Sequence, residues 1–394
     1  MDRRIKPSQA RPRAAILWGL AFFALYQAGL YVAMELRPVL RDPEYGVKLD
    51  RLKARIAEKP GADPLIVMLG SSRVSFGFRC GDGDSGEADS PQQATVPAGG
   101  GSAARPLVYN FGASGFPPTG QLVYLRRLLA DGIRPHLVVC EYWPTLVVAD
   151  SRFNEGIDIN RLRWLDIGRL ASGVTRVRDF YRRWGRAQIV PWYYHRYLLF
   201  NHLAPSWLEP ANQMDHQWRQ MDDWGWVNQP MYESRGVDPQ RLQGEMDVSR
   251  PVLEQFQLPA TADRAFRDII DTCRGNQIAV AIIITPAASP IRGLYRPEAL
   301  ARQTAYLKDL EVCCGATLID ASDWVPDEEF FEGCHLTHAG SSTFARRFHE
   351  RVVQPMLAGE RDLLAGSKSR FGPGPAASAI SASPRAGEDL IRSR

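Results

Sequence analysis

Several patterns that mark common functions are missing from this 394-residue sequence. It has no Walker A motif, and no glycine fingerprint of a dinucleotide-binding fold joins a predicted strand to a helix, so nothing indicates nucleotide chemistry. Its six cysteines show no repeated spacing and no Cys-x-x-Cys knuckle, the usual signature of structural zinc. We therefore predict no metal and no cofactor. An exported domain can pair some of the cysteines, and the spacing does not say which.

A basic surface of the kind that binds nucleic acid is missing as well. The chain has 48 Lys and Arg against 44 Asp and Glu, and residues 1–13 hold five of those cations and one of the anions. The rest of the chain carries equal numbers of both signs. We therefore predict no nucleic-acid partner.

An apolar run follows the amino-terminal cations. Residues 14–33 contain no charge and one amide, Gln27, and twenty residues are enough for a helix to cross the hydrocarbon core. Because the cations come first, we predict a cytoplasmic tail at 1–13, a transmembrane signal anchor at 14–34, and an extracytoplasmic domain in the periplasm or at the cell surface. A cleaved signal peptide is the alternative, but no small-x-small site precedes Met34.

Short apolar runs bounded by turn residues predict an α/β domain with a parallel sheet. The strands are expected at 65–69, 107–110, 135–140, 278–284 and 317–320, with amphipathic helices at 121–130, 262–273, 299–311 and 340–356. The predicted order of segments is a stalk at 35–62, a core at 63–147 with a low-complexity loop at 80–105, an insertion at 148–258, the rest of the core at 259–358, and a disordered tail at 365–394.

The insertion holds seven of the ten tryptophans. One interpretation is a helical roof that offers aromatic faces to a sugar or lipid. A second is that a small insertion uses large aromatic side chains to bury apolar area. A third is a membrane-proximal surface with Trp and Tyr at the level of the headgroups.

Two ends of the chain supply candidate catalytic groups. Ser72 follows the first strand and Gly70, where α/β sheets place ligands and where backbone N–H groups are free for an oxyanion. Glu332 precedes His335 by three residues on a loop before the last helix, so its carboxylate can hold one ring nitrogen while the other faces Ser72. We predict a triad of Ser72, His335 and Glu332.

Gly70-Ser71-Ser72, the glycine block Asn110-Phe111-Gly112-Ala113-Ser114-Gly115 and Glu332-Gly333-Cys334-His335 together resemble the SGNH (GDSL-like) hydrolase superfamily. The form with Ser71 in place of the usual aspartate is similar to the membrane-anchored branch that acylates cell-envelope polymers. The resemblance covers about residues 63–145 and 262–350. It implies a three-layer α/β/α flavodoxin-like fold and an oxyanion hole from the backbone of Ser72 and Gly115.

The third block of the family departs from the pattern, because the run Leu137–Thr145 contains no asparagine. Thr145 is the nearest equivalent by spacing and is the third predicted oxyanion donor. The residues predicted to contact substrate are Arg73, Asn110, Trp143 and Trp224.

The resemblance implies an esterase or O-acyltransferase that acts on ester-linked acyl groups, acetyl as the expected one, of an envelope polymer or exopolysaccharide. The sequence leaves open whether another membrane protein donates the acyl group. The alternative function is a catalytically degenerate domain of the same fold that binds a glycan or a partner protein.

Overall fold

The computed structural model describes residues 10–58, 64–81, 106–149, 159–170, 177–233 and 236–359. The chain begins with three helices, α1 (Ala10–Leu36), α2 (Pro38–Arg41) and α3 (Pro43–Glu58). Residues Arg13–Leu36 of α1 are long and apolar enough to span a membrane, and little of this span is covered by the rest of the protein. The helix ends at Leu36 because the next residue precedes a proline, and that position disfavours helical backbone.

Five strands form one parallel sheet: β1 (Leu65–Leu69), β2 (Leu107–Asn110), β3 (Leu137–Tyr142), β4 (Ala279–Ile284) and β5 (Thr317–Asp320). Their order across the sheet is β2-β1-β3-β4-β5, and every neighbouring pair is parallel. The predicted α/β class with a parallel sheet is confirmed. Because β2 lies on one side of β1 and β3 on the other, the carboxyl ends of β1 and β3 form the topological switch point at which open α/β sheets bind ligands.

Thirteen further α-helices are described in these ranges. They are α4 (Ser72–Ser75), α5 (Pro118–Ala130), α6 (Pro144–Ala149), α7 (Trp164–Leu170), α8 (Val177–Ile189), α9 (Pro191–Leu203), α10 (His216–Arg219), α11 (Pro239–Gln255), α12 (Ala260–Gly275), α13 (Ser289–Arg292), α14 (Pro297–Val312), α15 (His338–Phe348) and α16 (Gln354–Leu357). The predicted closing helix at 340–356 is divided by a π-helical turn, His349–Val353. Pro355 has no N–H to donate to the preceding turn, and the π turn accommodates that loss.

Apolar side chains cover both faces of the sheet. Alternate residues of β3 point to opposite faces: Val138 belongs to a cluster that includes side chains of α5 and α12, and Val139 to a cluster that includes α15. A sheet covered on both sides has strands without polar alternation, which explains the apolar run of β1.

Helix α3 differs from the predicted stalk at 35–62. Its Tyr45, Leu49 and Leu52 belong to the main core. The ammonium of Lys48, fully buried, donates to the carbonyl oxygens of Asn110 (3.2 Å) and Gly225 (2.5 Å), and burial lowers the pKa of Lys48 to about 8. The sequence does not distinguish a lysine that bonds backbone carbonyls inside the fold from one that faces solvent. For this reason the sequence pattern of α3 predicts a surface helix.

The insertion wraps from the amino-terminal helices to the carboxyl edge of the sheet. Its helices α8 and α9 pack against α1, and α11 packs against α6 and α14. Buried tryptophans at 184, 218 and 226 agree with the interpretation in which aromatic side chains bury apolar area. The predictions for residues 1–9, 82–105 and 365–394 lie outside the described residues.

Candidate active site

The turn after β1 is fixed by a buried carboxylate. Glu141, in β3, accepts the backbone N–H of Ser71 at 2.6 Å. A Cβ on Gly70 would lie 2.8 Å from the same carboxylate, so only glycine permits this approach. The hydroxyl of Ser71 in turn accepts the N–H of Arg73 at 3.2 Å and caps α4. Ser72 is therefore held as the first residue of α4, at the carboxyl end of β1.

The structure brings the three predicted triad residues together. Ser72 Oγ lies 2.9 Å from His335 Nε2. On the other side of the ring, His335 Nδ1 makes a short hydrogen bond with Glu332 Oε1, which also accepts the backbone N–H of His335 at 2.9 Å. A carboxylate at Nδ1 favours the tautomer with the proton there, which leaves Nε2 free to accept the Ser72 hydroxyl.

A backbone hydrogen bond closes the loop from Glu332 to His335. Phe331 donates its backbone N–H to the carbonyl oxygen of His335 at 2.9 Å. Gly333 has a φ of 101°, a left-handed conformation that glycine adopts without strain. The loop therefore turns tightly enough for an acid and a histidine three residues apart to face one another.

The triad is reachable from solvent. The side chain of His335 is 26% exposed and that of Glu332 13% exposed, and Ser72 is half-buried. An ester carbonyl can therefore approach Ser72, while the carboxylate that orients the imidazole is shielded. Shielding strengthens the electrostatic attraction between Glu332 and a protonated His335.

One ring from the insertion covers the imidazole. Tyr232 stacks on His335 with ring centroids 5.6 Å apart and planes 15° from parallel. Tyr232 also packs against Phe76 and Phe331 in a small apolar cluster. The insertion thus contributes a side chain directly to the candidate site.

The three predicted oxyanion donors lie on the loops or helices that follow β1, β2 and β3. Within the described ranges, the backbone N–H groups of Ser72 and Gly115 donate to no protein acceptor. The loop that carries Gly115 is held against the end of β1, since Ala113 donates to the carbonyl oxygen of Gly70 at 2.9 Å. The hydroxyl of Thr145, in α6, is buried and has no hydrogen-bond partner among the described residues. Each candidate thus has an unused donor.

Three of the four residues predicted to contact substrate are buried. Asn110 is fully buried, and its amide nitrogen donates to the carbonyl oxygens of Val74 (2.7 Å) and Phe78 (2.8 Å). The guanidinium of Arg73 lies 3.8 Å from the ring centroid of Trp143, and both residues are 5% exposed. In the structure these three residues make contacts within the protein that hold the loops of the site in place, and their contact with substrate stays a prediction.

The fourth, Trp224, is half-buried beside α3. The guanidinium of Arg55 lies 4.8 Å from the centroid of its ring, and its carbonyl oxygen accepts the N–H of Asn110 at 3.0 Å. These contacts tie the insertion to the edge of the sheet at β2. Arg55 covers the ring as a stacking partner, which argues for a packing role.

Sequence reasoning missed three residues that support the site. Glu141 anchors the Ser71 turn, and its only signal is a charge inside an apolar strand. Tyr232 covers His335, and nothing in its local sequence distinguishes it from the other aromatics of the insertion. Glu245, in α11, accepts the thiol of Cys334 at 3.2 Å beside His335, where burial raises the pKa of that thiol.

In the parts of the chain that the structure describes, no three His, Cys, Asp or Glu side chains come together as metal ligands would. All six cysteines are described, and all six are free thiols. Independently of these absences, the contacts of His335 with Ser72 and with Glu332 have the geometry expected of a nucleophile, a base and an orienting acid.

Comparisons with known proteins add no family assignment. No protein-family model matches this chain, and no curated protein is significantly similar to it.

Proposed function

We propose that this chain is a membrane-anchored serine esterase or O-acyltransferase of the SGNH type. The observation that carries the proposal is the 2.9 Å separation of Ser72 Oγ and His335 Nε2, with Glu332 bound at the other ring nitrogen. The strand order β2-β1-β3-β4-β5 supports the flavodoxin-like architecture, in which ligands bind at the crevice between the first and third strands. Ser72 follows the first of these strands.

In the proposed mechanism, His335 Nε2 takes the proton of Ser72 as the serine oxygen attacks an ester carbonyl. Glu332 stabilises the resulting imidazolium. The tetrahedral oxyanion accepts hydrogen bonds from the backbone N–H groups of Ser72 and Gly115 and from the hydroxyl of Thr145. Each such donor contributes about 10²- to 10³-fold to the rate. The ester C–O bond then breaks, the departing alkoxide takes the proton from His335, and an acyl-serine remains.

The second half-reaction defines the product. Water attacks the acyl-serine in an esterase, and a sugar hydroxyl attacks it in an O-acyltransferase, with His335 removing the proton of either nucleophile. We propose acetylated envelope polymers or exopolysaccharides as substrates. The half-exposed site and the extracytoplasmic position expected from the amino-terminal cations support large external substrates.

A serine-reactive fluorophosphonate tests the proposal on the full chain in detergent, with intact mass as the readout. Wild type is expected to gain one adduct. Ser72→Ala is expected to gain none, and His335→Ala is expected to react at least about a hundredfold more slowly, since it lacks the base. Ser342→Ala, a half-buried serine in α15, is the matched control and should label as wild type does.

A folded wild-type protein that stays unlabelled would contradict the proposal. It would favour the alternative, a non-catalytic domain that binds a glycan or a partner protein. If labelling succeeds, release of acetate from acetylated xylan separates esterase from transferase activity, since a transferase releases little acetate until an acceptor sugar is added.

A further inference from the structure

The turn between α8 and α9 contacts α1 well inside the segment that is apolar enough to span a membrane. The backbone N–H of Trp192 donates to Gln27 Oε1 at 3.1 Å, and the rings of Trp192 and Tyr26 lie 6.0 Å apart. From there α9 runs along α1 and also packs against α2. We call residues 189–193, which include the end of α8, Val190 between the helices and the start of α9, the hairpin tip.

The position of Gln27 sets the depth of the tip. Gln27 precedes Leu36, the last residue of α1, by nine positions, which is about 14 Å along a helix that rises 1.5 Å per residue. The 24-residue span exceeds the roughly 30 Å hydrocarbon core by a few ångströms at each end. A span centred in the bilayer therefore places Gln27, and the tip beside it, about 10 Å below the boundary of the core.

The backbone of the tip is suited to a place without water. The first residue of α9 is Pro191, which has no N–H to satisfy. The next N–H, of Trp192, goes to Gln27, and those of Tyr193 and Tyr194 go to the carbonyl oxygen of Val190 at 3.1 and 3.4 Å. A helix start in water usually leaves such donors to solvent. In hydrocarbon each unsatisfied donor is costly, so every one must have a partner.

The side chains of the hairpin have the distribution expected at a membrane boundary. Ile189, at the tip, is 73% exposed, and Tyr193 is also exposed. Farther from the tip, α8 exposes Arg178, Arg183 and Arg186, which make no ion pair within the described ranges. Arginine stems can lie along apolar surface while their charged ends reach phosphate groups.

We infer that the hairpin tip is embedded in the leaflet on the side of the folded domain, with the arginines of α8 at the level of the lipid phosphates. The occupant of this exposed face is lipid, because the tip continues the lipid-facing surface of α1. The inference rests on the proposed membrane anchor. It converts a single-pass anchor into one with a second, re-entrant element.

Depth-dependent fluorescence quenching tests this inference on the full chain, reconstituted alone in lipid nanodiscs. The background carries Cys80→Ser, Cys313→Ser and Cys314→Ser, since the other three cysteines are buried. A nitrobenzoxadiazole probe is attached at Ile189→Cys, and at Tyr193→Cys in case the first variant fails to fold. One reference probe is at Leu20→Cys in α1, in the same background. The other is at Cys313, in a separate variant that keeps this exposed cysteine and carries only Cys80→Ser and Cys314→Ser. Spin labels are placed near the lipid headgroup or in the middle of the acyl chain.

The probes at 189 and 193 are expected to lose fluorescence to spin-labelled lipid and to resist aqueous iodide, as the probe at Leu20→Cys does. The Cys313 probe is expected to behave in the opposite way. Quenching at Leu20→Cys together with water-exposed probes at 189 and 193 would overturn the inference and leave the anchor standing. A Leu20→Cys probe that lipid does not quench would overturn the anchor itself.

Discussion

Tyr232 lies face to face with His335, with ring centroids 5.6 Å apart and planes 15° from parallel. The tyrosine comes from the insertion and the histidine from the last loop of the sheet domain, so the contact joins the two parts of the chain at the candidate site. Tyr232 is 7% exposed, and burial raises the pKa of its phenol above its ordinary value. It is therefore a neutral ring that limits how far the imidazole can rotate.

Tyr232→Ala tests the role of this contact. Removing the ring frees the imidazole and admits water to its face, and we expect kcat to fall about ten- to a hundredfold with little change in KM. Tyr232→Phe keeps the stacked ring and should retain kcat. The measurement is steady-state hydrolysis of p-nitrophenyl acetate. A Phe variant as impaired as the Ala variant would show that the hydroxyl, and not the stacked ring, supports kcat.

Thr145 offers a direct test of the oxyanion hole. Its hydroxyl is buried without a hydrogen-bond partner in the described structure, an arrangement that costs stability unless a ligand uses it. We expect Thr145→Val to lower kcat by about 10²- to 10³-fold, and Thr145→Ser to restore most of it. The free energy of unfolding should stay equal or rise in Thr145→Val. Wild-type kcat in the valine variant would remove Thr145 from the mechanism.

Arg73 illustrates a positioning residue. Its Nε donates to the carbonyl oxygen of Cys334 at 3.2 Å, Nη2 makes a short hydrogen bond to the carbonyl oxygen of Pro286, and Nη1 lies 3.9 Å from the buried carboxylate of Glu141. One guanidinium thus joins the turn after β1, the loop after β4 and the residue before His335. The planar guanidinium of arginine can make these contacts together, and the ammonium of lysine cannot.

Arg73→Gln leaves Glu141 buried without its cation, and we expect the free energy of unfolding to fall by about 3 kcal/mol. Arg73→Lys should lose less stability, because its positive charge remains beside Glu141. Both variants should also lower kcat, because both lose the planar guanidinium that positions the loops. Urea unfolding in mild detergent and ester hydrolysis measure the two effects. Arg79→Gln, whose guanidinium stacks on Trp226 instead, is the control. A Lys variant with full kcat would contradict the positioning role.

Much of the sheet domain follows from local patterns. β2 and β5 occupy the residues that their apolar runs predict, and the parallel pairing follows from helices between successive strands. The pairing of the acid and the histidine can also be predicted from the sequence, because an acid three residues before a histidine needs only a tight loop to face it. The loop is tight because Gly333 adopts a left-handed conformation.

Some residues bond to partners that are distant in the sequence. The ammonium of Lys48 donates to the carbonyl oxygen of Gly225, far away in the sequence. Asn110 is predicted to be a site residue because it is the first residue of the glycine block. In the structure its amide donates to backbone carbonyl oxygens of the segment after β1. Such contacts depend on tertiary packing, so they cannot be predicted from the local periodicity of the sequence.

Asp222 gives a prediction that does not depend on catalysis. Its Oδ1 accepts the N–H groups of Trp224 and Trp226, each at 2.9 Å, and burial raises the pKa of the carboxyl to about 6. The unfolded chain releases this proton near pH 4, whereas the folded protein holds it to about pH 6. Its contribution to stability is therefore fully present below about pH 4 and is lost as the pH rises through about 6.

The Asp222→Asn variant keeps a carbonyl oxygen for both N–H groups and cannot ionise. We expect the free energy of unfolding of wild type, relative to this variant, to fall by about 2 to 3 kcal/mol between pH 4 and pH 7. Asp223→Asn is the matched control, because that neighbouring side chain is exposed and pairs with Arg55 at the surface, where such a pair contributes little. Urea unfolding at the two pH values measures the difference. If the gap between wild type and Asp222→Asn is the same at both, the carboxyl ionises in the folded protein as it does in the unfolded chain, and burial does not control it.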